Sequence, residues 1–292
     1  MDKIGYYILR GTTWLIHLFP LCLNYLFSDF LFFFTYFVIR YRRNVVRLNL
    51  LNSFPEKSKE ERKQIERKFY RHLCDTFIET LYYDRISFEE SKERVKFLNP
   101  ELPISYLDQG RPVVVYLGHY NNWEWFVNWP LFTNHRFYAV YKKLRNKAFG
   151  QFYYRLRARF GAVPLERAAT FRQLMEDTQK GIPTFSAFIF DQTPRINEIQ
   201  YWTTFLNQDT AVLVGAEKVA RKIDAVVVAA HPIKVRRGYY EVEYFLITEN
   251  AKETAKFEIT EQCTRFLEKI IREKPEYWLW SHKRWKHKRP KE

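Results

Sequence analysis

Cysteine is scarce. Cys22, Cys74 and Cys263 stand far apart and form no Cys-x-x-Cys pair. That excludes a disulfide scaffold and a cysteine-based zinc site, and it fits a reducing compartment. There is no Walker-type or Gly-x-Gly-x-x-Gly phosphate loop, no His-Glu-x-x-His motif and no internal repeat. P-loop nucleotide, dinucleotide, metalloprotease and repeat-protein readings therefore lack their sequence signatures. Lysine and arginine are missing from one long stretch, Trp14 to Ile39, 26 residues in which Asp29 is the single formal charge. This stretch ends in Arg40, Arg42 and Arg43 with no small-residue cleavage site, so it is not a signal peptide, and those arginines with Arg47 favour a cytoplasmic location for the remainder of the chain. The stretch is long enough to cross a bilayer, but Pro20, Asn24, Ser28 and Asp29 are awkward at mid-depth. A single transmembrane helix, a broken or re-entrant helix and an interfacial helix pair all satisfy it. Membrane attachment is expected, with the topology open; a core helix pair of a soluble protein is the competing reading.

What is abundant is positive charge and aromatic surface. Lys and Arg number 48 against 33 acidic residues, a formal net charge of +15, and aromatics make up 18% of the chain. Such a surface suits an anionic membrane face or a nucleic acid. The apolar stretch decides for the membrane and against nucleic acid. The 292 residues suffice for one substantial α/β domain.

In chain order, Asn44 to Leu51 is basic and amphipathic, and Phe54-Pro55-Glu56 breaks it. Ser58 opens a long helix with Glu60 and Glu61 in its first turn and apolar residues at Ile65, Phe69, Leu73, Phe77 and Leu81. His72 on that helix reads as structural or solvated. Ile86 to Leu107 reads as a second helical piece looping at Pro100 and Pro103. Phe137 to Tyr141, Pro183 to Phe190 and Ala225 to Ala230 read as buried strands, and Val235 to Ile247 as a hairpin turning near Arg237-Gly238. Helices are expected from Asn146 to about Phe160, from Ala168 to Lys180, from Thr210 to Lys222 and from Glu253 to Glu273. Lys142, Lys143, Arg145, Lys147, Arg155, Arg157 and Arg159 come after a strand end, an edge where open sheets bind ligands, and are a candidate anion site. Asp191-Gln192 closes another strand at the same kind of position. The tail from Pro275 interleaves Trp278, Trp280 and Trp285 with Lys283, Arg284, Lys286, Lys288 and Arg289, as an interfacial anchor or an anionic-ligand site would, or as a disordered basic tail.

The chain is organised around Val113 to Trp125, VVVYLGHYNNWEW. Val113 to Leu117 reads as a buried strand that turns at Gly118, with a helix starting near Asn121 or Asn122. Residues five apart on one helix point about 140° away from each other. With His119 on the turn and Glu124 in the first helical turn, the two side chains can meet, an imidazole held by a carboxylate as a general base requires. The same residues also admit a structural reading, with Glu124 in a capping box with Asn121 and His119 in the core. The spacing alone is weak, since about one His-x4-acid match is expected by chance, and His287 with Glu292 supplies another. Only His119 lies where a strand yields to a helix.

Gly118-His119-x-x-Asn122-Trp123-Glu124, with Tyr41-Arg42-Arg43, Phe54-Pro55-Glu56, Arg159 before Gly161, Asp191-Gln192 and Trp278-x-Trp280-x-His282-Lys283-Arg284-Trp285-Lys286, resembles the lysophospholipid acyltransferase superfamily, and most closely its branch of lipid A (Kdo-dependent) late acyltransferases. The resemblance covers nearly the whole chain. It implies an α/β fold with a central, mostly parallel sheet flanked by helices, glycerol-3-phosphate acyltransferase-like, with residues 1–43 as a membrane-associated helical segment and 44–292 as the catalytic domain. The implied reaction is acyl transfer from an acyl carrier protein or CoA thioester to a lipid hydroxyl, with His119 as base and Glu124 orienting it. Neither a metal, a cofactor nor an enzyme-bound acyl group is implied. Asn122, Trp123, Arg159, Asp191 and Gln192 would contact substrate, and the protein would work on the cytoplasmic face of the inner membrane. A lipid A precursor is the implied acceptor, with a lysophospholipid, glycolipid or aminolipid as the alternative; a non-catalytic protein binding anionic lipid is the reading from another class. The chain departs in one place. Where the family often has Phe-Phe-Gly before a helix start, it has Phe205-Leu206-Asn207, without the glycine that would allow close ligand approach.

Overall fold

The computed structural model describes residues 2–144 and 146–290. Arg145 and Glu292 lie outside them. The first part is helical: α1 (Asp2–His17), α2 (Leu21–Phe33, continued by a π-turn over Phe34–Val38), α3 (Arg43–Ser53), α4 (Lys59–Tyr83) and α5 (Phe88–Arg94). β1 (Val95–Phe97), α6 (Glu101–Asp108) and β2 (Val113–Leu117) come next, then a 3₁₀ helix over Trp123–Leu131. The α/β part continues with β3 (Arg136–Tyr141), α7 (Lys147–Ala158), β4 (Val163–Glu166), α8 (Arg167–Gln179) and β5 (Thr184–Ile189). It ends with β6 (Trp202–Phe205), β7 (Gln208–Ala211), α9 (Gly215–Lys222), β8 (Val226–Arg236), β9 (Tyr239–Thr248) and α10 (Glu258–Glu273).

Seven strands form one sheet in the order β1-β9-β8-β2-β5-β3-β4. β8, β2, β5, β3 and β4 run parallel, while β9 returns antiparallel to β8. β2 lies between β5 and β8, and all five of its residues are buried. A strand covered by helices on both faces has no solvent side, which is why VVVYL does not alternate. The expected α/β class and mostly parallel sheet are what the chain adopts.

α4 begins where Ser58 and Glu61 bond each other's backbone N–H in a capping box. α2 packs antiparallel along it. Tyr25 meets Glu79, Ser28 meets Asp75, and Tyr36 packs at a tilt against Tyr70. The polar residues that look awkward in a bilayer thus face protein: Ser28 Oγ donates to Asp75 at 2.7 Å, Asn24 Nδ2 to Ile16 O at 2.7 Å, and Asp29 pairs with Arg237 at 2.8 Å. The outer face is apolar and open, with Leu26 68% and Phe30 64% exposed. Leu21–Val38 is long and apolar enough to cross a membrane.

Several expectations need correction. Residues 208–211 are a strand, not the start of a helix, because Leu206 and Asn207 both take positive φ (50° and 62°) and form the two-residue turn joining β6 to β7. The glycine position of the family pattern is here a hairpin turn, and asparagine tolerates its left-handed backbone. Residues 95–97, expected to be helical, pair with β9. The last helix starts at Glu258 and not at Glu253. The tail is no interfacial anchor at Trp278 and Trp280, which are fully buried. Trp280 Nε1 donates to Pro275 O at 2.6 Å, and Asn49 Nδ2 to Trp280 O at 2.8 Å.

One buried carboxylate ties these layers together. Glu79, inaccessible to solvent, accepts hydrogen bonds at 2.7 Å from Tyr25 on α2, Asn122 after β2 and Tyr240 on β9. Glu79→Ala would leave three buried donors unpaired, at about 1–3 kcal/mol each. Urea denaturation should show a loss of at least about 3 kcal/mol, with Glu79→Gln losing less; an unchanged midpoint for the alanine variant would contradict this.

Candidate active site

The site sits at the C-terminal end of β2, where open sheets place ligands. A Cβ at Gly118 would lie 2.6 Å from Leu267 Cδ1 of α10, so any larger residue there would have to displace that side chain. Asn121 then turns the chain with φ 54°, its N–H bonded to Tyr277 O at 3.0 Å and its Nδ2 to Pro232 O at 2.6 Å. These bonds, not a capping box, fix the turn.

His119 is held by Asp191, just past the end of β5. Its Nδ1 lies 2.6 Å from Asp191 Oδ1, and its backbone N–H donates to Oδ2 at 2.8 Å. Trp278 Nε1 also donates to Oδ2, at 2.8 Å. Burial alone would push the Asp191 carboxyl up, but the His119 charge and these three hydrogen bonds outweigh it and hold the group below the usual carboxylate range. An ionised Asp191 accepts from a protonated Nδ1, and in the neutral tautomer this leaves the lone pair on Nε2. Gln192 Nε2 lies 3.0 Å from it, and the edge of Trp123 closes the other side, with ring centroids 5.0 Å apart. The His119 side chain keeps 15% of its surface exposed against 3% for Asp191.

The expected contact between His119 and Glu124 is not made. Glu124 binds Arg157 of α7 at 2.8, 3.2 and 3.3 Å, in a fork spanning both carboxylate oxygens. Among the described residues no hydrogen bond or ion pair joins Glu124 to His119. The reason is local: Asn121 in the left-handed region and the tight 3₁₀ helix carry Glu124 toward α7, while β5 brings Asp191 under the imidazole. Burial alone would lower the Arg157 guanidinium, and Glu124 more than offsets it, so the group is raised.

The other expected site residues divide. Gln192 and Trp123 adjoin His119. Asn122 donates to Glu79 and fixes the turn. Arg159 does not join His119: its Nη2 donates to Ile86 O, and its chain lies over the Phe160 ring. Arg155 bonds Tyr6 and Arg157 bonds Glu124, while the Arg159 Nε is buried without an acceptor. The residues around Asp191 that sequence reasoning misses are Trp278, as a hydrogen-bond donor, and His282, whose Nε2 meets the Thr193 N–H at 3.3 Å. A narrow apolar cleft of about 10 Å³ between Phe69, Leu73, Trp123, Tyr277 and Leu279 adjoins the site. A larger cavity of about 350 Å³, lined by Lys218, Arg221, Lys222, Lys252 and Lys256, lies where β8 begins, at the opposite end of the sheet from His119. Among the described residues no three His, Cys, Asp or Glu side chains are grouped to hold a metal ion.

An imidazole oriented by a buried carboxylate at the end of a parallel strand is the arrangement that a general base requires. A family model described as bacterial lipid A biosynthesis acyltransferase matches residues 2–287, and the chain belongs to that family. It is therefore an acyltransferase. No curated protein matches the chain.

Three further histidines make folding sensitive to acid. Burial and Lys234 hold His72 well below its ordinary value, burial lowers His231, and burial lowers His282 to about 4. Below about pH 6.5 the unfolded chain binds protons that these folded rings do not, so stability should fall from there, for His282 down to about 4. Thermal melts should show this loss, and His72→Gln should reduce its slope; melting temperatures independent of pH between about 7 and 4.5 would refute the assignment.

Proposed function

We propose that the protein transfers a fatty acyl chain from a thioester donor, on acyl carrier protein or CoA, to a hydroxyl of a lipid A precursor, with His119 as general base. The carrying observation is the His119 Nδ1 held 2.6 Å from the buried Asp191 carboxylate, an arrangement that leaves Nε2 as the acceptor. The acceptor hydroxyl would displace Gln192 and give its proton to Nε2 as its oxygen attacks the thioester carbonyl. The new C–O bond forms, the C–S bond breaks, and the imidazolium returns the proton to the leaving thiolate. Asp191 orients the ring and stabilises its charged form, the role that the sequence resemblance implies for Glu124. Glu124, through Arg157, holds the 3₁₀ helix that places Trp123 against His119.

In purified protein, His119→Ala and Asp191→Asn should each lower transfer by roughly 10²- to 10⁴-fold while the fold persists. Glu124→Ala and Arg157→Ala should lower it equally, with the double variant no worse than either. Transfer by His119→Ala at the wild-type rate would remove the base. Lipid profiles with and without the protein decide the acceptor: a missing chain on lipid A supports this reading, and one missing from a lysophospholipid, glycolipid or aminolipid supports the alternative.

We also propose attachment to the cytoplasmic face of the inner membrane by the outer face of α1 and α2, without a span. α2 lies against the charged α4 along its length and is tied by Asp29 to Arg237, so hydrocarbon cannot surround it. Leu26→Glu with Phe30→Glu should release the protein from anionic vesicles in flotation while acyl transfer to a detergent-dispersed acceptor persists; unaltered flotation would count against the face.

A further inference from the structure

Arg284 is 3% exposed and lies in the tail segment that packs on Asp191-Gln192-Thr193. Its backbone is pinned, since Thr193 Oγ1 donates to Arg284 O at 2.7 Å and the Arg284 N–H donates to His282 O at 2.9 Å. Its guanidinium is not. Nε and Nη1 are buried without an acceptor, and no ion pair among the described residues includes Arg284. A buried cation lacking a touching anion is costly unless an opposite charge shares the same low-dielectric region. Burial lowers this guanidinium to about 10, and the carboxylate that opposes the effect is Asp191. Glu124 is already committed to Arg157.

This separation has a chemical use. An anion at Nδ1 favours the imidazolium, and a base that stays protonated cannot accept a proton. A cation beyond the anion offsets that preference. Because it does not touch Asp191, all three hydrogen bonds to the carboxylate remain with His119 and Trp278. The groups facing the ring are Asp191 and Gln192 after β5, Trp123 on the 3₁₀ helix, and His282 and Arg284 on the tail segment.

We propose that Arg284 is a positioning residue for acyl transfer, a buried positive counterweight to Asp191 that opposes protonation of His119. The inference rests on His119 being the base. It is tested on the purified full chain by the pH dependence of kcat/KM for Arg284→Met, which removes the charge, and Arg284→Lys, which keeps it. R284M should move the acid limb to higher pH by about one unit, a loss of about tenfold on that limb that shrinks toward alkaline pH. R284K should restore the wild-type limb. A uniform loss with an unmoved limb indicates packing alone, and a raised KM with an unmoved limb indicates direct binding of a substrate anion; either overturns the proposal. If R284M does not accumulate, Asp191→Asn with Arg284→Met decides, since removing both charges should restore accumulation, and failure to do so overturns the counterweight. Transfer by His119→Ala at the wild-type rate sinks the base reading itself; an inactive H119A with an unshifted R284M limb sinks this inference alone.

Discussion

Three hydrogen bonds converge on the Asp191 carboxylate, and the site depends on them. Two come from His119, through its ring and its backbone, and the third from the Trp278 indole. A carboxylate that is almost wholly buried needs such donors to remain charged. They also fix the imidazole in rotation and in tautomer, since a ring held at Nδ1 by an anion has one nitrogen left to act. The sheet brings the partners together: β2 and β5 are adjacent and parallel, so the residues beyond their C-terminal ends face each other.

A second carboxylate, Glu79, does for the scaffold what Asp191 does for the His119 ring. Tyr25, Asn122 and Tyr240 reach it from three elements remote in sequence. It couples the apolar α2 to the turn that carries His119. The surface proposed to rest on a bilayer and the imidazole are thereby parts of one framework. The Glu124–Arg157 fork adds a third tie, between the 3₁₀ helix and α7. Such a partly buried pair is weak evidence of stability, but breaking it by removing one partner costs about 3–5 kcal/mol.

Much of this is legible in the residues. VVVYL, FYAVY and the strand before Asp191-Gln192 read as buried strands because parallel sheets covered on both faces demand unbroken apolar runs. Ser58 and Glu61 announce the start of α4 by reciprocal capping chemistry. His119 stands out by its place at a strand end. Its partner does not, because a contact across 72 residues leaves no trace in spacing, whereas Glu124, five residues on and available by spacing, turns to Arg157 instead. Trp278 and Trp280 look like surface residues because cations surround them in sequence, yet their indoles fill the core. β7 reads as helix because the left-handed turn at Leu206-Asn207 carries no glycine to mark it.

The placement of Trp278 also orders the site in time. The histidine is synthesised first, its carboxylate 72 residues later, and the indole that completes the cluster 87 residues after that. A chain emerging vectorially from the ribosome thus possesses the imidazole long before the carboxylate and the indole that seat it.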